Sequence, residues 1–318
     1  MAEANVNLAA RRIILDCDPG HDDAMAILLA HGCAELELAA ITTVAGNHEL
    51  HLTTLNALRI CSLAGITGVP VAAGCAGPLV RSLLTAPEIH GQNGLEGHAW
   101  PEPTVRAVPD HAVDLIIDLV MEAPGEITLV MTGPATNIAM ALRKEPRIAG
   151  RVHDVVLMGG AYTRGNMTPA AEFNTFVDPE AAAIVFGGGW PVTMIGLEVT
   201  ELAVATEPVF DRIAAVGTPV AAAVTGMLRF YQAQQLREVG IDAPPVHDPC
   251  AVGQVARPEL VECLDARVDV ELSSPLTSGM TVTDFRDKAG RGFNARVGTG
   301  LAVDAFWDLF IESLRTYR

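Results

Sequence analysis

The sequence predicts an α/β fold: a single domain built on a mainly parallel open sheet, with helices on both faces and a small antiparallel edge. Three observations carry this expectation. Short apolar runs bounded by turn residues alternate with stretches of helical periodicity through residues 12–196. A predominantly helical stretch, about 198–257, is followed by an alternating, turn-rich stretch, 260–298, which reads as antiparallel hairpins. Half of the 318 residues are apolar and 19% are charged, a balance that supports a large buried core and argues against disorder.

Taken in order, residues 12–18 (RIILDCD) form a buried strand that Pro19-Gly20 ends. Residues 22–32 then form a helix whose apolar face carries Ala24, Ile27, Leu28 and Ala30. A strand at 36–45, a helix at about 50–64 and a short strand at 69–73 follow. The stretch 76–109 is rich in Pro and Gly and reads as loop. Alternation resumes with a helix at 110–121, a strand at 127–132, a helix at 137–144, a strand at 152–158, a helix at 178–186 and a strand at 191–196. Residues 301–315 close the chain as a helix. Strand–helix repetition of this kind implies parallel strands joined by right-handed crossovers. No composition break, repeat or low-complexity tract marks a linker, so one domain over 1–318 is expected.

The net charge of −17 opposes binding to polyanions and to anionic membrane surfaces, so neither nucleic acid nor membrane is an expected partner. A small neutral substrate or a cation suits the charge, which also serves simple solubility. The six cysteines show neither a CxxC pair nor zinc-type spacing, and read as buried reduced thiols. The first twelve residues, MAEANVNLAARR, lack the apolar core of a signal peptide, and no run of about twenty apolar residues occurs. The expected location is the cytosol.

The strongest chemical signal is Asp16-Cys17-Asp18-Pro19-Gly20-His21-Asp22-Asp23. Residues two apart in a strand share a face, so Asp16 and Asp18 are expected to point the same way. The Pro-Gly turn returns Asp22 and Asp23 to the strand end at a helix N-terminus, where negative charge is favoured. Ligands of open α/β sheets bind at such strand ends. Carboxylates this close must protonate or gather a cation, and hard oxygen ligands select Ca²⁺ or Mg²⁺. A polar loop without chemistry is the plain alternative.

With DCDPGHDDAMAILLA in place, the chain resembles the inosine–uridine-type nucleoside hydrolases. Six further stretches carry the resemblance in order: Thr43-Val44-Ala45-Gly46-Asn47, Ile89-His90-Gly91, Thr132-Gly133-Pro134-Ala135-Thr136-Asn137, Met158-Gly159-Gly160, Ala171-Glu172-Phe173-Asn174 and Val246-His247-Asp248. The resemblance implies hydrolysis of the N-glycosidic bond of ribonucleosides to ribose and free base by a Ca²⁺-bound water. It assigns Asp18, Asp23, Asp248 and the carbonyl of Thr132 to Ca²⁺, with Asp18 also the general base and Asp16 supporting the cluster. Asp22 would accept from a ribose hydroxyl, Asn47 lies near metal and sugar, and Met158 packs on the ribose. Asn166, Glu172 and Asn174, with Phe173 between them, belong to the sugar site. His90 and His247 would face the nucleobase, with His247 a proton donor to the leaving base. A homotetramer is also implied.

Outside that resemblance the same residues have ordinary readings. Glu172-Phe173-Asn174 is a loop, His247-Asp248 a helix cap, Thr132 turn chemistry, His90 an exposed loop histidine, and Met158 core. On the helix expected over 227–239, Tyr231 and Gln235 are four apart and share a face, with Val239 one turn further. They would form one wall of the base pocket, although Tyr231 and Val239 also read as core. His21 is as in pyrimidine-preferring members, whereas those members carry a tyrosine where this chain has Val239. Uridine or cytidine is therefore expected ahead of inosine, with a purine-preferring or non-specific hydrolase as the alternative. Two other classes compete for the same signals. Aspartate-nucleophile phosphotransferases of the haloacid dehalogenase type share DxD but expect Thr or Val where Pro19-Gly20 stands. A non-catalytic nucleoside or ribose sensor would keep the fold without turnover.

Overall fold

A computed structural model of the chain describes residues 10–318. The leader reading above falls largely on residues 1–9, outside the described residues. The strands are β1 (Arg11–Cys17), β2 (Leu36–Thr43), β3 (Val71–Ala73), β4 (Ile127–Met131), β5 (Asp154–Met158), β6 (Val192–Ile195), β7 (Val261–Val270), β8 (Thr281–Asp284) and β9 (Ala295–Leu301). The α-helices are α1 (His21–Gly32), α2 (Leu50–Ala64), α3 (Pro87–His90), α4 (Ala112–Glu122), α5 (Thr136–Lys144), α6 (Phe173–Val177), α7 (Pro179–Phe186), α8 (Leu197–Thr200), α9 (Glu207–Ala214), α10 (Pro219–Val239), α11 (Asp248–Ala256) and α12 (Val303–Leu314).

The strands form one sheet in the order β3-β2-β1-β4-β5-β6-β9-β7-β8. Every pairing from β3 across to β9 is parallel, and β7 pairs antiparallel with both β9 and β8. The expected antiparallel edge is therefore present, with one difference. β9 is not confined to a hairpin but joins the parallel sheet beside β6 through Thr193↔Arg296 and Met194↔Val297.

Alternation along each strand divides the core into two layers. Ile13 and Leu15 of β1, Val130 of β4 and Val156 of β5 pack with α1, α2, α10, α11 and α12. Ile14, Leu129 and Val155 pack on the other face with α4, α5 and α7. α4 shows the logic: Val113, Ile116 and Val120 recur at helical spacing and, with Ala112, are the residues it buries. α1 is buried from His21 to Ala30, because it lies between the sheet and further helices. α10 begins at Pro219, with Thr218 Oγ1 accepting from the Ala221 amide at 3.2 Å, and ends at Gly240 in the left-handed region.

Two helices lie beyond the sequence reading. α3 is a single turn inside the Pro/Gly-rich stretch. α6 precedes α7 because Pro179 cannot continue a helix, whereas Asp178 restarts one by accepting from the Ala181 amide at 3.0 Å.

Chain order reverses at β1: the chain moves outward through β2 and β3, then returns to place β4 on the other side. The carboxyl ends of β1 and β4 thus flank a topological switch point, the usual ligand position in open α/β sheets. All six cysteines are free thiols. Among the described residues no helix is long and apolar enough to cross a membrane.

Candidate active site

The site starts where β1 ends. Asp23, at the third position of α1, accepts through Oδ2 from the Gly20 amide at 3.0 Å and through Oδ1 from Thr132 Oγ1 at 2.9 Å. One carboxylate therefore caps the helix and joins the β1 and β4 ends. Asp18 Oδ2 accepts from the Asn47 amide at 2.6 Å, while Oδ1 is buried without a partner. Two glycines let the chain close around this carboxylate. A Cβ on Gly46 would stand 2.1 Å from Asp18 Oδ2, and one on Gly133 2.7 Å from Oδ1. The glycines of Val44-Ala45-Gly46-Asn47 and Thr132-Gly133-Pro134 thus have a steric cause.

Carboxylate oxygens of Asp22, Asp23 and Asp248 lie within 4.8 Å of one another. Burial pushes Asp18 and Asp248 well above the ordinary carboxylate range, reinforced by the neighbouring aspartates. Burial and then repulsion from Asp22 raise Asp23 to about 6. No ion pair found among the described residues involves any of these acids. A buried, unneutralised group of hard oxygen donors, one with an orphaned oxygen, fits a divalent cation.

Above this floor opens a cavity of about 370 Å³. Of the residues singled out in sequence, Asp22, Asn47, His90, Thr132, Met158, Asn166, Glu172, Phe173, Asn174, Tyr231, Gln235, Val239, His247 and Asp248 line it. Asp18 and Asp23 do not. Both are fully buried beneath it.

Asn174 Nδ2 donates to the carbonyls of Thr132 at 2.7 Å and Met158 at 3.2 Å, tying the β4 and β5 ends together. Glu172 caps α6, accepting from the Asn174 and Gly160 amides at 2.9 Å each. Asn166 Oδ1 accepts from the Phe173 amide at 3.0 Å. On α10, Gln235 Nε2 donates to the Tyr231 hydroxyl at 2.9 Å, so this pair faces the cavity and is more than core. His247 Nδ1 lies 2.8 Å from Thr200 Oγ1, and its backbone amide donates to Asp22 Oδ2 at 3.3 Å. Burial holds His247 below the ordinary imidazole range.

The sequence profile of the inosine-uridine preferring nucleoside hydrolases matches residues 13–308. The chain belongs to this family. It is a nucleoside hydrolase, an N-glycosidase. It is 50% identical over 306 residues to the inosine-uridine preferring nucleoside hydrolase of Crithidia fasciculata, covering 96% of this chain and 97% of the relative. It is 45% identical over 308 residues to a pyrimidine-specific ribonucleoside hydrolase of Shewanella baltica, covering 96% and 97%. Among solved structures, a purine-preferring ribonucleoside hydrolase from Gardnerella vaginalis superposes with a TM-score of 0.90 at 34% identity, covering 96% of this chain and 98% of the other.

Within this hydrolase two placements differ from the sequence reading. The compact acidic trio contains Asp22, expected only at the sugar, and leaves Asp18 outside it. Asp16 does not turn to the trio. Its Oδ1 accepts from Thr42 Oγ1 at 2.6 Å and Asn137 Nδ2 at 2.8 Å, and burial raises it to about 7. The strand ends at Cys17, so the two-residue alternation does not extend to Asp18. Sequence reasoning also misses Glu88, Arg164, Met167, Glu201 and Ile241, which line the cavity. Glu88 has a signal, two residues before His90. Arg164 and Glu201 pair at 2.7 Å across 37 residues, with no local signature.

Proposed function

We propose that the chain, read as one catalytic domain over 1–318, hydrolyses the N-glycosidic bond of ribonucleosides with Ca²⁺ as cofactor. The observation that carries this reading is the acidic trio at the base of a cavity walled by hydrogen-bonding side chains. Asp18, Asp23, Asp248 and the Thr132 carbonyl would hold the cation, with Asp22 beside them. A bound Ca²⁺ supplies a fixed positive point that orients a water and a ribose diol together. Asp18 would accept the proton of the attacking water, as its partnerless oxygen suits it to do. The surrounding carboxylates stabilise positive charge as the sugar approaches an oxocarbenium ion. Asn47, Asn166, Glu172 and Asn174 orient the sugar, and Met158 and Phe173 pack on it. His247, held below the ordinary imidazole range by burial, would donate a hydrogen bond to the departing base.

Release of reducing sugar from a nucleoside panel tests this reading. Saturable binding without ribose release would make the chain a sensor instead. Within the panel, kcat/KM for uridine or cytidine is expected to exceed that for inosine and adenosine. The support is the Tyr231–Gln235 pair, an amide and a phenol suited to a pyrimidine edge. A lead of inosine by about tenfold, roughly 1.4 kcal/mol, would reverse the preference.

We also place the enzyme in nucleoside salvage in the cytosol and expect a homotetramer, on family resemblance. Sedimentation equilibrium should give four times the 33.5 kDa chain mass, and a monomer at micromolar concentration would refute it.

A further inference from the structure

Between the Pro19-Gly20 turn and the acids of α1 stands His21, fully buried and outside the cavity wall. Its ring is stacked against His90, Phe230 and Tyr231, with centroids 5.5, 5.4 and 5.7 Å away. His21 Nε2 lies 2.9 Å from the Glu96 carbonyl oxygen. A carbonyl only accepts, so Nε2 carries hydrogen. Both rings are buried, the two Nδ1 atoms 3.3 Å apart cannot both carry hydrogen, and an imidazole packed in an aromatic stack with no carboxylate bonded to it stays neutral. His21 Nδ1 therefore presents a lone pair.

That lone pair faces His90 Nδ1 at 3.3 Å, and the backbone amide of His21 approaches the same atom, also at 3.3 Å. The amide can only donate. One nitrogen of His90 thus meets an obligatory acceptor and an obligatory donor, both from His21. With its proton on Nδ1, His90 satisfies the His21 ring and leaves its own Nε2 an acceptor. With the proton on Nε2, it satisfies the His21 amide and Nε2 becomes a donor. Each state keeps one hydrogen bond and forgoes another, so neither is strongly preferred. Gly20 permits the arrangement, because a Cβ there would stand 2.6 Å from His90 Nδ1.

We propose that His21 is a specificity-determining positioning residue that holds His90 between its two neutral tautomers, so that one cavity-lining side chain offers the nucleobase either a donor or an acceptor. This rests on the reading that His90 faces the base. Uracil and hypoxanthine carry a carbonyl where cytosine and adenine carry an amino group. A histidine free to change tautomer accepts both kinds, whereas a fixed one discriminates.

The test is His21→Phe, which keeps a ring in the stack but removes Nδ1. The remaining amide then fixes His90 as a donor at Nε2. Relative to uridine and inosine, kcat/KM for cytidine and adenosine should fall at least about tenfold, with p-nitrophenyl riboside following uridine. Ring ¹⁵N shifts of His90 should be intermediate between tautomers in the unsubstituted protein and match a single Nε2–H form in the variant. A parallel fall for all substrates would mean a merely structural role and overturn the proposal. So would an unchanged ratio, or a single His90 tautomer in the unsubstituted protein. The ¹⁵N measurement decides even if the variant does not fold. It is also independent of turnover, so loss of the enzymatic reading would be seen separately, as an absence of ribose release.

Discussion

Asp18→Asn is expected to reduce kcat for ribonucleoside hydrolysis by about 10²–10⁴-fold, the usual cost of removing a general base. Loss of a metal ligand would add to it. The substitution is isosteric, and the oxygen of the new carboxamide can still accept from the Asn47 amide that now reaches Asp18 Oδ2 at 2.6 Å. Folding should not suffer. Burial raises the proton affinity of Asp18 in the folded state, so its ionised form is disfavoured there, and an amide relieves that penalty. The expected signature is low turnover with an unchanged or higher Tm for the metal-free protein, the trade between stability and activity seen at functional sites. Steady-state kinetics and calorimetry read both quantities. A variant keeping more than about half its turnover would remove Asp18 from the general-base role.

The second large effect is expected from metal removal. Exhaustive chelation should lower kcat by at least about 10²-fold, since a bound cation contributes several kcal/mol of charge stabilisation and each 1.36 kcal/mol is tenfold. Adding back Ca²⁺ should restore it. The Tm should fall in parallel, because Asp22, Asp23 and Asp248 crowd within 4.8 Å with no cationic side chain among the described residues paired to them. A ligand that binds only the folded chain stabilises it by mass action, about 2.7 kcal/mol at a hundred times its Kd. Full activity in a preparation in which elemental analysis finds no metal would overturn the Ca²⁺ assignment.

The parts of this architecture legible in sequence are those governed by local rules. The buried run of β1, the Pro19-Gly20 break and the acids opening α1 are readable because strand burial, turn chemistry and the helix dipole all act within a few residues. What local rules misjudge has physical causes. Extending the strand alternation beyond Cys17 aligns Asp16 with Asp18, but the strand ends at that cysteine. α6 escapes a local reading because five residues hold little periodicity, and its start depends on Glu172 accepting from the Asn174 and Thr175 amides. β9 reads as one arm of a hairpin, because nothing in an alternating strand says which neighbour it will have. Arg164 and Glu201 reach the cavity through tertiary approach alone. Among the site residues, Asp18, Asp22, Asp23 and Asn47 follow closely on strand ends, whereas helical spacing alone places Tyr231 and Gln235. Tyr231 and Gln235 share a face because α10 runs unbroken from Pro219 to Val239.

The two sides of the cavity are anchored differently. Thr132, Met158 and Asn174 are bonded to one another across the ends of adjacent parallel strands, and Asp18 is wedged between two glycine turns. A substitution there that changes side-chain shape disturbs the sheet itself. Tyr231 and Gln235 instead stand on consecutive turns of one long helix, next to Val239, which is 57% exposed. Side chains along that helix can be exchanged without touching the strand ends. The fold therefore separates a wall fixed by the sheet from a wall carried by one helix, and on the proposal that this helix faces the base, a lineage could alter which leaving groups it accepts while inheriting its hydrolytic chemistry intact.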